Sequence, residues 1–264
     1  MTIYTLGPAG TYSHEAAEKI FPNEDIQFAP NFDRVFDLLS KDKKAIGVVP
    51  VENSLHGSID EILDLLRETD VKLWQTHEVR ICHSFGCQDQ RLVQKIASHP
   101  QALRQSKLWL NKNYPLAEYL PTSSTAAAVD MAKEDKSIGA IASENLIKKS
   151  GLTLVSKDVE GTENTTRFGI VSVTDPFPGS KRTRMSIAIH PKKEADKPGL
   201  LHRLLTPFKV YDINLTRIEN RPTGKKLGDY NFFIDFLGSP EEARTKTVLA
   251  ELSELAEIRI LGEW

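Results

Sequence analysis

The chain of 264 residues has only two cysteines, no long apolar run and no excess of either charge. Two cysteines cannot build a disulfide framework, so the fold must rest on burial, and a reducing cytoplasm is the expected location. No stretch approaches the roughly 18 apolar residues of a membrane span. The opening MTIYTLGPAG lacks the basic segment and apolar core of a secretory signal. With 34 Lys and Arg against 36 Asp and Glu, the formal charge is −2, which leaves no electrostatic footprint for nucleic acid or a membrane. A composition of 40% hydrophobic and 27% charged residues excludes disorder and fibre. No Ser/His/Asp or Cys/His arrangement can be assigned, and no His-x-x-x-His occurs. Cys82, His83 and Cys87 offer three metal ligands in one segment without an obvious fourth, so partly buried, reduced thiols are the better reading, and no metal or cofactor is expected.

What is present is a regular alternation. Ile3 to Leu6 reads as a strand, and a helix starts near Thr11 or Ser13. Phe32, Val35, Phe36 and Leu39 have the spacing of one buried helical face. Ala45 to Val49 reads as a buried strand ended by Pro50, and Ile59, Ile62, Leu63 and Leu66 form a second helical stripe. Helices are expected around 101–111, 123–133 and 143–149, with strands at Ile138–Ala142, Leu152–Val155 and Phe168–Val173. This pattern predicts an α/β fold with largely parallel sheets. A Pro/Gly-rich stretch, 174–181, then reads as a linker. Beyond it come strands at 185–189, 213–218, 230–237 and 258–261, with helices at 198–208 and 240–256. That order is β-α-β-β-α-β, a ferredoxin-like split unit.

Three segments place hydroxyls and free backbone N–H groups where helices begin. The turn Gly7-Pro8-Ala9-Gly10-Thr11-Tyr12-Ser13 suits a carboxylate or phosphate, because unpaired amides and the helix dipole both favour negative charge. It has neither the dinucleotide fingerprint nor the P-loop spacing, and it equally fits a tight turn with an ordinary N-cap. Pro50-Val51-Glu52-Asn53-Ser54, with Gly57, follows a buried strand, where ligands of open α/β sheets collect; capping of the next helix is the alternative. Thr122-Ser123-Ser124-Thr125 precedes an alanine-rich helix. Asn164-Thr165-Thr166-Arg167-Phe168 enters a strand. If alternation already holds there, Thr166 and Phe168 share one face and Arg167 takes the other. A site of hydroxyls and amides with few full charges fits a small anionic metabolite.

Taken together with His99-Pro100-Gln101-Ala102-Leu103, these segments resemble the prephenate dehydratases. Pro198-Gly199-Leu200-Leu201 and Glu219-Asn220-Arg221-Pro222 resemble the two signature turns of the ACT domain attached to those enzymes. The resemblance covers essentially the whole chain. It implies a two-lobed α/β catalytic domain at 1–177, resembling type II periplasmic binding proteins, and a ferredoxin-like ACT regulatory domain at 183–264. It implies a carbon–oxygen lyase that converts prephenate to phenylpyruvate, water and CO2 in phenylalanine biosynthesis.

The resemblance also assigns residues. It places the essential hydroxyl on Thr166; because a threonine hydroxyl is a feeble acid, the residues' own chemistry makes Glu52 the candidate proton donor, provided that closure of the cleft raises its pKa. Thr11, Ser13, Asn53, Ser54, Ser124, Thr125, Asn164, Thr165, Arg167 and Phe168 are candidates for substrate binding, with positioning of the strand, or an ordinary ion pair, as the alternative for Arg167. L-Phenylalanine is the expected effector, at Gly199, Leu200, Leu201, Glu219, Asn220, Arg221 and Pro222. Asn220 replaces the family's usual serine and Leu200-Leu201 its usual Ala-Leu, which bears on the effector's strength and identity. Paired ACT modules imply a homodimer or homotetramer. Two readings stay beside this one: an arogenate dehydratase, and a ligand sensor without chemistry.

Overall fold

The computed structural model describes residues 1–161, 163–224 and 229–264. The fold is mixed α/β and divides into two compact units. The first comprises Met1–Val35, Val48–Ile59 and His77–Phe168; the second comprises Phe36–Gly47, Asp60–Thr76 and Gly169–Trp264.

The first unit carries two sheets. In one, the strands Thr2–Leu6 and Asp25–Ala29 run parallel in unbroken register. The strand Ile46–Asn53 lies on the other side of Thr2–Leu6, where the buried Thr5 hydroxyl donates to the Val48 carbonyl at 2.8 Å. Pro50 does not end this strand as its sequence suggests. Proline lacks only the N–H donor, and its fixed φ is compatible with extended backbone at a position where no ladder bond is required. The strand therefore runs on to Asn53 and turns back on itself, with Gly57–Ser58 antiparallel to Glu52 and Asn53. The helix Asp60–Glu68 begins only after this hairpin, so Ile59 precedes it while Ile62, Leu63 and Leu66 are its buried stripe.

The second sheet of that unit has the order Thr153–Ser156, His83–Cys87, Ile138–Ser143, Lys95–Ser98, Glu118–Pro121. Only the last three strands are mutually parallel; His83–Cys87 and Thr153–Ser156 pair antiparallel. The sheet is thus mixed where a largely parallel one was expected. His83–Cys87 is buried at all five positions, and a strand covered on both faces shows no alternation to read. The helical stretch expected at 101–111 is two short helices, Pro100–Gln105 and Lys107–Asn113, broken at the buried Ser106. Alanines on the helix Thr125–Glu134 (Ala128 and Ala132 fully buried) let it lie close over Ala97, Ile138 and Ala140.

The second unit contains the β-α-β-β-α-β series Arg184–Pro191, Leu200–Val210, Leu215–Pro222, Tyr230–Leu237, Ala243–Leu255 and Ala256–Glu263. Its strands form an antiparallel sheet in the order second, third, first, fourth, the arrangement of a ferredoxin-like split unit. Met185, Ile187 and Ile189 alternate onto a core shared with Leu204, Phe208, Ile234, Phe236, Val248 and Leu252. Gly199, at the head of the first helix, has φ +86° with open space around its Cα; the left-handed backbone is what calls for glycine there.

Glu219, Asn220, Arg221 and Pro222 are the last four residues of a strand and not a turn, because its ladder with Tyr230–Leu237 continues to Pro222↔Tyr230. Alternation puts Glu219 and Arg221 on one face and the exposed Asn220 and Pro222 on the other. The Arg221 guanidinium is bound to Asp64 at 2.7 Å and to Asp60, both on the helix Asp60–Glu68.

The closing strand is joined to Lys72–Arg80 through the single pair Gly262↔Leu73. A Cβ at Gly262 would fall 2.4 Å from the Leu73 carbonyl oxygen, and a backbone atom cannot step aside as a side-chain end can. Gly262→Ala is expected to lower stability by about 1–3 kcal/mol, measured as a fall in denaturation midpoint with the helical circular dichroism signal unchanged.

Candidate active site

Within the first unit the sheet ends and helix starts converge on a cavity of about 290 Å³, small for a ligand site. The helix Tyr12–Ile20 presents its first turn to it through Thr11, Tyr12 and Ser13, and the helix Thr125–Glu134 does so through Ser124 and Thr125. Thr11 and Ser124 are the N-caps of these helices, their hydroxyls accepting from His14 N and Ala127 N. Capping and anion-binding readings of these segments are therefore compatible: the cap oxygen takes one N–H, and the other unpaired N–H groups of the turn remain for a ligand.

The strand Thr165–Ser172 starts three residues before Phe168, so the alternation does hold at its entry. Thr166 and Phe168 line the cavity; Arg167 does not. Its guanidinium turns to the Glu52 carboxylate at 2.5 Å and to Glu78 at 3.3 Å. Alternation on Ile46–Asn53 likewise puts Asn53 on the cavity and Glu52 off it. Ser54 and Thr165 also stay outside. They staple the hairpin to the strand, Ser54 N donating to Thr165 O at 2.8 Å and Thr165 N to Ser54 Oγ at 3.0 Å. Of the twelve residues assigned to catalysis or substrate binding, Thr11, Ser13, Asn53, Ser124, Thr125, Asn164, Thr166 and Phe168 share the cavity wall.

Asn53 organises one side of the site. Its buried amide nitrogen donates to Asn164 Oδ1 at 2.7 Å and to Thr166 Oγ1 at 2.9 Å. An amide nitrogen has no lone pair to offer, so the Thr166 oxygen accepts and its own O–H hydrogen is left for the cavity. Accepting one bond also polarises the hydroxyl and strengthens the bond it donates.

The wall includes residues whose role the sequence did not reveal: Ile59, His83, His99, Gln101, Ala102 and Gln105. Gln105 follows Gln101 by four residues and Ala102 by three on one short helix, spacings that could have marked it as the neighbour of both. His99 caps that helix, Nδ1 accepting from Gln101 N at 3.3 Å. Burial, and then Arg104, lower its pKa. His83 is almost fully buried; burial, and then His99, lower its pKa to about 4. None of the described lining residues is Lys, Arg, Asp or Glu, so at neutral pH the wall offers dipoles and neutral donors.

Cys87 is buried in the core beside Phe85. Cys82 instead lies with Asp158 and Glu160, their ligand atoms within 4.8 Å of one another. Burial, and then the neighbouring Asp158, push the Cys82 thiol up to about 11, and a protonated thiol is a poor metal ligand.

In the second unit, a hollow of about 530 Å³ is lined by Ala188, His190, Asn231, Glu257 and Arg259, among others, and by none of the seven predicted effector residues. Gly199, Leu200 and Leu201 stand at the head of one helix, and Glu219 to Pro222 at the end of one strand.

Such a cavity defines an α/β enzyme for a small anion, built from helix N-termini, amides and one poised hydroxyl. A family model for prephenate dehydratase matches residues 3–176. The bifunctional chorismate mutase/prephenate dehydratase of Aquifex aeolicus (strain VF5) is 35% identical over 98% of this chain and 72% of its own length. The prephenate dehydratase of Methanocaldococcus jannaschii is 33% identical over 99% of this chain and 97% of its own. The solved prephenate dehydratase of Arthrobacter aurescens, in complex with L-Phe, matches with a TM-score of 0.89 at 27% identity, covering 100% of this chain and 89% of that one. The chain belongs to the prephenate dehydratase family, and its activity is that of a prephenate dehydratase.

The His83 shift has a consequence for stability. An unfolded histidine titrates near about 6.5, and above that pH both states are neutral. As the pH falls from about 6.5 towards 4, the unfolded chain binds a proton that the folded one refuses. Stability therefore drops by about 3 kcal/mol over that window and levels off below it. Urea unfolding at pH 7 and pH 4.5 is expected to show the wild type losing about 2 kcal/mol more than His83→Gln.

Proposed function

We propose that this enzyme holds prephenate by its carboxylates at the two helix N-termini, with Thr166 donating a hydrogen bond to the departing ring hydroxyl. The observation that carries this reading is the convergence of those two helix starts and the free Thr166 hydrogen on one cavity with no ionised side chain among the described residues of its wall. Loss of the hydroxyl as water and of the ring carboxylate as CO2 makes the ring aromatic, so the protein need not supply a strong nucleophile. It must orient the diene, assist the hydroxyl and leave the ring carboxylate without a strong counter-ion: as neutral CO2 departs, the electron pair of the breaking C–C bond enters the ring and expels the hydroxyl, which takes one proton from solvent to leave as water, so charge moving off the carboxylate is favoured in the transition state over the ground state. A threonine hydroxyl is too weak an acid to give up its proton fully; its part is a directed hydrogen bond.

Glu52 was the candidate proton donor, but its place off the cavity and its bond to Arg167 support another role. In this reading the pair braces the hairpin strand against the strand Thr165–Ser172 and keeps Asn53 and Thr166 facing each other, while Asn164 and Phe168 shape the wall. Residues 1–177 act as the catalytic domain and 183–264 as an ACT regulatory domain that binds L-phenylalanine, through the head of the helix at Gly199 to Leu201 and the strand end at Glu219 to Pro222. The split β-α-β-β-α-β unit supports this, as does the phenylalanine bound to the Arthrobacter relative. Modules of this kind pair, so a homodimer or homotetramer is proposed. Among the described residues no helix is long and apolar enough to cross a membrane. The free Cys82 and Cys87 suit a reducing cytoplasm.

Turnover of prephenate to phenylpyruvate tests the whole reading. Thr166→Ala is expected to reduce kcat by about 10²–10³-fold, the loss typical of one transition-state donor, whereas Glu52→Gln stays within a few-fold of wild type. Added phenylalanine is expected to inhibit the wild type. Normal turnover by Thr166→Ala would remove the proposed mechanism, a collapse of Glu52→Gln while Arg167→Met, which breaks the same pair, stays near wild type would restore Glu52 as proton donor, and indifference to phenylalanine would remove the regulator. Turnover of arogenate alone would move the substrate.

A further inference from the structure

The hairpin tip carries a histidine that the assigned machinery does not use. His56 follows Asn53 by three residues, is exposed, and brings Nδ1 to 3.0 Å from Asn53 Oδ1. We propose that His56 is a positioning residue for catalysis: its Nδ1–H fixes the orientation of the Asn53 amide, and through it the direction of the Thr166 hydrogen bond. This rests on Thr166 being the donor to the leaving hydroxyl.

A carboxamide has four hydrogen-bonding positions, two N–H donors and two lone pairs on oxygen. In Asn53 both donors are used, towards Asn164 and Thr166, and one lone pair takes Leu55 N at 3.0 Å. His56 Nδ1 faces the remaining lone pair. Gln101 Nε2 stands 3.2 Å from the same nitrogen, so Nδ1 has two claimants. As an acceptor it would take the Gln101 hydrogen and set its own lone pair against that of Asn53 Oδ1, a repulsive contact. As a donor it completes Asn53, and the Gln101 amide, at the solvent edge, turns its hydrogens away to water.

The orientation matters because an Asn amide can turn over. With Oδ1 held by Leu55 N–H and His56 Nδ1–H, the nitrogen must point at Thr166, and the threonine hydrogen stays free for the cavity. With the amide turned over, Oδ1 would accept from Thr166, and the hydroxyl would spend its hydrogen inside the wall. His56 biases the first arrangement from the solvent side: it contacts the wall residues Asn53 and Gln101 from behind and does not itself line the cavity. Its removal should therefore cut the rate and leave substrate affinity alone.

Steady-state kinetics of His56→Ala, His56→Asn and His56→Gln with prephenate test this, with denaturation midpoints to confirm equal folding. An asparagine amide nitrogen sits about where histidine Nδ1 does, while a glutamine amide reaches the Nε2 position. Expected is a 5- to 20-fold fall in kcat for Ala and Gln with KM changed less than two-fold, and recovery to within about three-fold of wild type for Asn. Wild-type kcat in His56→Ala would overturn the proposal. So would a loss confined to KM, or equal loss in all three variants. A Thr166→Ala enzyme with normal turnover would instead sink the reading beneath it, so the two failures are distinguishable.

Discussion

The Asn53 amide, buried between the hairpin and the strand that carries Thr166, is the contact on which the site depends. Its two donors join residues more than a hundred positions away in the chain, and the same hairpin is stapled again by the reciprocal Ser54–Thr165 bonds. Losing such a buried amide leaves Asn164 and Thr166 each short of a partner, with a desolvation cost of about 1–3 kcal/mol for each group. Local backbone chemistry makes the arrangement possible. Pro50 is tolerated within the strand, Gly57 supplies the left-handed turn at φ +78°, and alternation on two strands sends Asn53 and Thr166 to one side and Glu52 and Arg167 to the other.

The charge distribution follows from the same alternation. Ionised side chains near the site are paired with one another, as Arg167 is with Glu52 and Glu78, and the lining is left with hydroxyls, amides, two imidazoles of lowered pKa and the first turns of two helices. Helix N-termini are fixed dipoles that need no reorganisation when charge moves, and they attract an anion less strongly than a guanidinium does. For a reaction that must release a carboxylate as CO2, a strong ion pair at that group would stabilise the ground state and slow the step.

Arg221 shows how a single ion-pair network can recast a motif. Its place in Glu219-Asn220-Arg221-Pro222 suggested a ligand-facing turn; the strand instead continues through it and hands the guanidinium to Asp60 and Asp64. Both carboxylates raise the Arg221 pKa. Asn220 and Pro222, on the other face of the strand, are left exposed.

Periodicity made the helices Phe32–Lys41 and Asp60–Glu68, the strand pattern of Met185, Ile187 and Ile189, and the β-α-β-β-α-β order legible in the sequence, because each buries one face and leaves the other polar. Strands covered on both faces, such as His83–Cys87, carry no such signal, and the mixed direction of their sheet is a matter of chain crossovers that no local window contains. The hydroxyl-rich helix starts and the Asn164-to-Phe168 segment were recognisable as site candidates from local chemistry. That Thr166 would be pointed and Arg167 diverted depended on where the strand began, and that Asn53 would bond to Thr166 depended on tertiary pairing. Which segments cap helices, alternate and bury apolar faces is written locally, since these properties depend on neighbours a few residues apart. Which side chains meet across the cavity and which carboxylates are spent on arginines is settled by packing, because those partners are distant in the chain and no local window holds both.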